Sequence, residues 1–458
     1  MKAMPSLPCP AGRTPRREFL RRLGFAAASI PVLGSRFELR AEPRSAQGLD
    51  VRITDRGART HRSDRNTVAI QAALDACHAA GGGTVRVPPG RFRTGALLLK
   101  SNVRLHLEEG AILQGSDDWQ DYPAFGDGSG GRRQWGDGEW SNALLTALDA
   151  TNIRIDGPGT IDGVDCTRPQ GEEGFRGPHA LVLRNCRDIS IRDITVRRAG
   201  NYALMCFDCR DAVVAGVRVR GGHDALHTQR CERFRVVDCD FRTGDDGFAG
   251  CDNADFEILN CRINSSCNGF RLGCERLVVR DCHLWGPGEY EHKISGRTNM
   301  LGAFVHFAPR DRHPQRPSDD WLIENLTVDR AEALYLYDFE RGGWMQGQPA
   351  RRLHFRNIRA TRLARTTRVV GDAGRQFQLT LENVSLSLHG AHLDQPVLDV
   401  DRFDTLTLRD VRLANSGAQP VLQVRHGHRV RIEGLTAVPD NSRPWRIEGV
   451  DAVEGAEP

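Results

Sequence analysis

Past residue 180 the chain alternates apolar and polar positions in short runs that end at Asn, Asp or Gly. Ile189-Ser190-Ile191-Arg192-Asp193-Ile194-Thr195-Val196 and Phe234-Arg235-Val236-Val237-Asp238-Cys239-Asp240-Phe241 share this form. Successive side chains of a strand face opposite ways, so alternation with period two predicts half-buried strands. The form also recurs at a fixed interval. The cysteines of Asp238-Cys239, Asn260-Cys261 and Asp281-Cys282 are 22 and 21 residues apart, and Cys186, Cys209 and Cys231 step by 23 and 22. A constant period of this length marks a solenoid. Short strands with such turns predict an all-β chain wound as a right-handed parallel β-helix, its coils about 4.8 Å apart. Weaker rungs at Asn325-Leu326, Asn357-Ile358, Asn383-Val384 and Asp410-Val411 carry the prediction to about residue 440. Residues 66–79 read as a helix, with Ile70, Leu74 and Cys77 on one face. Asn66 or Asp64 would cap it and Gly81-Gly82-Gly83 would stop it. A solenoid must cover its ends, and this helix is the expected N-terminal cap.

Composition narrows the picture. With 48 glycines and only 7% aromatics in 458 residues, the chain suits many tight turns. The net charge of +4 belongs to one end: residues 1–40 hold eight Lys/Arg against two acids, a surplus of six, which leaves −2 for the rest. A nearly neutral body argues against nucleic acid as the partner. Arg16-Arg17-Glu18-Phe19-Leu20 followed by the apolar residues 23–33 resembles a twin-arginine export signal. The expected organisation is therefore an export signal and linker at 1–45, the β-helix at 46–440 and a tail at 441–458. The protein would be periplasmic or secreted, monomeric, and free of the membrane once the signal is removed. Cys9 lies in the leader. The remaining twelve cysteines fit small apolar fillers of the stacked interior better than disulfides or zinc ligands.

Three acids carry the candidate chemistry: Asp224, and the pair Asp245 and Asp246 in Gly244-Asp245-Asp246-Gly247. Asp224 and Asp246 are 22 residues apart, one coil, which predicts adjacent rungs on one face. Carboxylates so placed repel, and at least one pKa should rise. A protonated acid beside an ionised base is the pair that glycosidic hydrolysis requires. One coil further come Asn268 and Arg271, and then Lys293 and Arg297; the three cations are candidates for binding a sugar carboxylate. His223 and His227 flank the acids. In the long Gly- and Asp-rich loop at 117–140, Trp119, Trp135 and Trp140 read either as sugar-stacking platforms or as anchors of the loop.

The chain resembles glycoside hydrolase family 28, the polygalacturonase and rhamnogalacturonase group. The N-terminal landmarks are Gln71-Ala72-Ala73-Leu74-Asp75, Gly81-Gly82-Gly83-Thr84-Val85, Val87-Pro88-Pro89-Gly90 and Leu105-His106-Leu107-Glu108-Glu109-Gly110-Ala111, joined by Gly159-Thr160-Ile161-Asp162-Gly163. Gly222-His223-Asp224 stands where the family has Asn-Thr-Asp, and Gly244-Asp245-Asp246 keeps its paired-aspartate motif. The resemblance implies an inverting hydrolase in which Asp246 is the general acid and Asp224 and Asp245 activate water. Two motifs depart. Asn268-Gly269 replaces the family's His-Gly, and Lys293-Ile294-Ser295-Gly296-Arg297 lies near the place of Arg-Ile-Lys with other spacing. His223 and His227 are the candidates to replace the lost imidazole.

The expected activity is hydrolysis of a pectin-like or related acidic polysaccharide or oligosaccharide, with Asp224, Asp245 and Asp246 catalytic. His223, His227, Asn268, Arg271, Lys293 and Arg297 are expected to bind substrate, without a cofactor or metal. Two rivals stand beside it. One is a polysaccharide lyase in which the acids hold Ca²⁺ and Arg271 or Lys293 is the base. The other is a carbohydrate-binding solenoid without catalysis.

Overall fold

A computed structural model describes residues 48–61, 65–125, 142–374, 377–440 and 442–455. The expected export segment, Asp64, Trp135 and Trp140 lie outside these. From Leu49 onward the chain winds as a parallel β-helix in which each coil contributes strands to three parallel sheets. On the first sheet Arg210–Ala215 strands pair with Glu232–Val237, in register from Ala212↔Phe234 to Ala215↔Val237. The second stacks Arg218–Arg220 on Asp240–Thr243. The third stacks Leu204–Phe207, Leu226–Gln229 and the start of Phe248–Leu259.

The corners between sheets explain the recurrent Asn or Asp. Asp238, Asn260, Asp281, Asn325, Asn357 and Asn383 all have positive φ, between 50° and 57°. Asn and Asp tolerate that region better than other non-glycine residues because their short polar side chains bond locally. Here they also bond coil to coil: Asn325 Nδ2 donates to Asp281 Oδ1 at 3.0 Å, Asn357 to Asn325 at 2.9 Å and Asn383 to Asn357 at 2.9 Å. The next residue of each corner points inward, and Cys239, Cys261 and Cys282 are buried there as free thiols. The interior of the third sheet is a column of rings, with Phe248, Phe270 and Phe304 stacked at centroid spacings of 4.7 Å. Burying each such ring contributes about 2–3 kcal/mol. A one-residue slip would turn the rings outward, so the column fixes the register of everything outside it.

The helix Thr67–Ala79 buries Ile70, Ala73, Leu74 and Cys77 against the first coil, as its apolar face predicts. Its cap differs in detail. The Asn66 side chain makes no capping bond; it accepts from Arg59 N at 2.7 Å and donates to the carbonyls of Arg59 and Arg93. The winding also runs past 440. Trp445–Glu454, within the expected tail, is a strand that pairs parallel with Leu422–Val438 from Leu422↔Trp445. Its own alternation, Trp445-Arg446-Ile447-Glu448, lays Trp445 and Ile447 on the end of the core.

Candidate active site

The site forms at the entry to the third sheet. Backbone bonds from Ala203 N to Asp224 O, Ala225 N to Asp246 O and Gly247 N to Asn268 O, each 2.9 Å, stack four successive coils. Tyr202, Asp224, Asp246 and Asn268 thus form one column, and Gly302 continues it opposite Asn268. Three residues on, His227, Ala249 and Arg271 form a second column. The small Ala249 leaves room for Arg271 to reach back across a coil. Asp245, displaced by one residue, follows His223, and its amide bonds His223 O at 3.4 Å.

The expected convergence of the three acids is found. Carboxylate oxygens of Asp224, Asp245 and Asp246 lie within 4.8 Å of one another. The cluster is enclosed: Asp224 is 1% exposed, Asp246 0% and Asp245 7%. Burying three negative charges is unfavourable unless counter-charges and hydrogen bonds accompany them. Here two guanidinium groups do so directly and a third stands behind His227. Arg271 Nε bonds Asp246 Oδ2 and its Nη2 lies 4.0 Å from Asp224. Arg176 donates to Asp245 Oδ2 at 3.2 Å. Arg312 meets His227 Nε2 at 3.3 Å, and His227 Nδ1 pairs with Asp224 Oδ2 at 2.7 Å. Asp224 Oδ1 accepts the Asp246 amide at 3.1 Å, and Asn268 donates to Asp246 Oδ1 at 2.8 Å. Phe307 roofs the arginines, with its ring 4.2 Å from the Arg271 guanidinium and 5.1 Å from that of Arg312.

These surroundings separate the acids. Burial, followed by the charges of Asp245 and Asp246, pushes Asp224 well above the ordinary carboxylate range. Burial also pushes Asp246 up, with Arg271 opposing. Burial acts on Asp245 as well, but His292, whose Nε2 lies 3.7 Å from Oδ2, together with Arg176 and Arg271 outweighs it and holds Asp245 below the usual range. The arrangement therefore sets buried carboxyls held above the ordinary range beside one held below it, which is the division acid–base chemistry uses.

The other expected residues fall at different distances from this centre. His227 joins it directly. His223 is buried, its ring 5.8 Å from Phe175, and its Nε2 has no hydrogen-bond partner among the described residues. Burial, then the charge of Arg176, lowers its pKa to about 2 and keeps it neutral. Asn268 and Arg271 hold Asp246; the carboxylate that Arg271 binds is the protein's own. Arg297 lies at the edge, donating to Ser266 O at 3.1 Å and Cys267 Sγ at 2.9 Å. Lys293 is off the cluster, on Asp165 at 2.8 Å. Trp119 is half-buried beneath the Arg168 guanidinium, 4.7 Å from its ring, as an anchor of its loop would be. Arg176, His292, Arg312 and Tyr202 were not among the expected site residues. Of these only Tyr202, 22 residues before Asp224, carries a signal in the period.

Comparison with known proteins agrees with this picture. Residues 179–285 match the family described as "Right handed beta helix region", the expected hand of the winding. The chain is similar to an exo-poly-alpha-D-galacturonosidase of Dickeya chrysanthemi, 29% identical over 256 residues, which are 43% of this chain and 41% of that protein. It is also similar to a mannuronan C5-epimerase of Azotobacter vinelandii, 31% identical over 162 residues, 34% of this chain and 17% of that protein. The chain thus spans well under two thirds of the length of either relative. Among solved structures, the family 28 exopolygalacturonase of Yersinia enterocolitica superposes with a TM-score of 0.58 at 20% identity, covering 89% of this chain and 79% of that one. That likeness is one of fold.

Proposed function

We propose that the protein is a glycoside hydrolase that cleaves a pectin-like polysaccharide by carboxylate acid–base catalysis. The observation that carries this reading is the cluster of Asp224, Asp245 and Asp246, with pKa values pushed apart by burial and by unequal shares of cationic neighbours. Asp246 donates its proton to the leaving oxygen while Arg271 and Asn268 hold it in place. Asp245, kept ionised by Arg176 and His292, takes a proton from the attacking water. Asp224 and His227 form a buried pair that fixes the backbone of Asp246 and the position of that water. The motif Gly244-Asp245-Asp246 and the polygalacturonase relative support the substrate class. The family resemblance implies inversion, although carboxylates this close are nearer the spacing of retaining enzymes.

The lyase reading asks the same acids to coordinate Ca²⁺. Their oxygens already face Arg271, Arg176, His227, Asn268 and a backbone amide, which leaves few lone pairs for a cation. The deciding experiment incubates the protein with polygalacturonate and related glycans. New reducing ends without an ultraviolet-absorbing product, and a β-anomer as first product from an α-linkage by proton NMR, are expected. An unsaturated product lost on chelation would replace hydrolysis with elimination. Binding without cleavage across the panel would reduce the protein to a carbohydrate-binding solenoid.

A further inference from the structure

The third sheet continues past the candidate active site along one outward column. Arg271 is opposite Val305, and Val305 opposite Leu336. Arg368, adjacent to the pair Tyr337↔Val369, stands beside Leu336 and opposite Asp399, and Asp399 is opposite Gln423. Over Leu336, Arg368, Asp399 and Gln423 the face opens into a cleft of about 530 Å³, large enough for a sugar unit or more. At two coils' separation it begins about 10 Å from Arg271.

The lining combines apolar surface with convergent polar groups. Leu336, Met345 and Pro396 offer flat apolar contacts. The Arg368 guanidinium lies between Asp338 and Asp399, 3.8 Å from each, beyond hydrogen-bond reach. Its Nε is buried without a hydrogen-bond partner among the described residues, and a buried donor left unmade is costly. Asp399 is held from the other side by Arg425 at 2.9 Å. Sugar hydroxyls both donate and accept, so one pyranose ring can satisfy a guanidinium and a carboxylate together. Trp344, which precedes Met345, is 66% exposed, and its ring lies 5.8 Å from the Arg271 guanidinium. An aromatic plane therefore stands in solvent between the aspartate cluster and the cleft, where a sugar face can stack on it.

We propose that this cleft is a distal glycan-binding site which, across Trp344, holds the far part of the polysaccharide chain whose reacting bond lies at Asp224, Asp245 and Asp246. The proposal rests on the hydrolase reading for the position of that bond, and its test does not depend on turnover. In the Asp246→Asn protein, galacturonan oligomers of increasing length are titrated by calorimetry. Affinity is expected to climb once the oligomer is long enough to reach the cleft. Arg368→Ala and Trp344→Ala should each weaken the long oligomer about tenfold, and Arg368→Ala should not change the affinity of the shortest one that binds. Arg368→Gln, which keeps a planar donor, should recover part of the loss. Affinity that does not depend on length, or long-oligomer affinity unchanged in both alanine variants, overturns the proposal. Reducing-end release by the parent chain is scored separately. Its absence removes the hydrolase reading, while a length-dependent loss in Arg368→Ala still identifies the cleft as a glycan site.

Discussion

Two columns of this β-helix are built from the same residue types, one residue to a coil. At one corner Asp238, Asn260, Asp281, Asn325, Asn357 and Asn383 are exposed, one above another, and each side chain hydrogen-bonds to a member on an adjacent coil. At the entry to the third sheet Asp224, Asp246 and Asn268 also stack coil on coil but are buried, beside Arg271 and His227. The first column is a structural ladder and the second has the charge separation of an acid–base site. Spacing does not distinguish them. Burial raises the carboxyls, and the unequal placing of Arg176, Arg271 and His292 pulls one of them back down.

The largest expected difference between the columns is chemical. Asp246→Asn should lower hydrolysis about 10³- to 10⁴-fold, the range expected for general acid–base catalysis, with an unchanged circular dichroism spectrum. In the parent chain the acid limb should lie low, because Asp245 titrates below the ordinary range. The rate should fall as pH rises through the raised pKa of Asp246, where the proton it must donate is lost. A rate that keeps rising through that range would remove Asp246 as the acid.

Next is the counter-charge. Arg271→Met should cost about 3–5 kcal/mol in denaturant unfolding at neutral pH, because it leaves the buried Asp246 without its paired cation. The sign follows from the raised carboxyls. Their folded forms hold protons more tightly than the unfolded chain, and without Arg271 they should do so further. The loss should therefore shrink as pH falls and the acids become neutral. A loss equal at every pH would mean that Arg271 acts through its packing on Phe307.

The smallest effect belongs to the ladder. Asn357→Ala removes bonds to Asn325 and Asn383 at a residue with φ of 55°, and should cost about 1–2 kcal/mol without changing hydrolysis. Asn357→Gly should recover the part due to backbone conformation. A change in rate in either variant would mean that the ladder and the site are coupled.

Much of this is legible in the sequence. A period near 22 residues predicts the coils, the inward cysteines and the vertical alignment of Asp224 with Asp246, because a parallel stack converts equal spacing into adjacency. The same rule reaches Tyr202 and Asn268. It does not reach Arg176, His292 or Arg312, which come from irregular segments between strands, nor Trp344 beside the cleft. It also stopped one strand early, short of Trp445–Glu454.

The sequence by itself determined the winding, its register and the set of side chains shared by each column, since these follow from short-range alternation repeated at a constant interval. Only the tertiary structure decided which column is sealed from water and which cations lean over it. Those depend on loops whose paths no period encodes, and an aspartate's proton affinity is set by its solvent and its neighbours rather than by its place in the repeat.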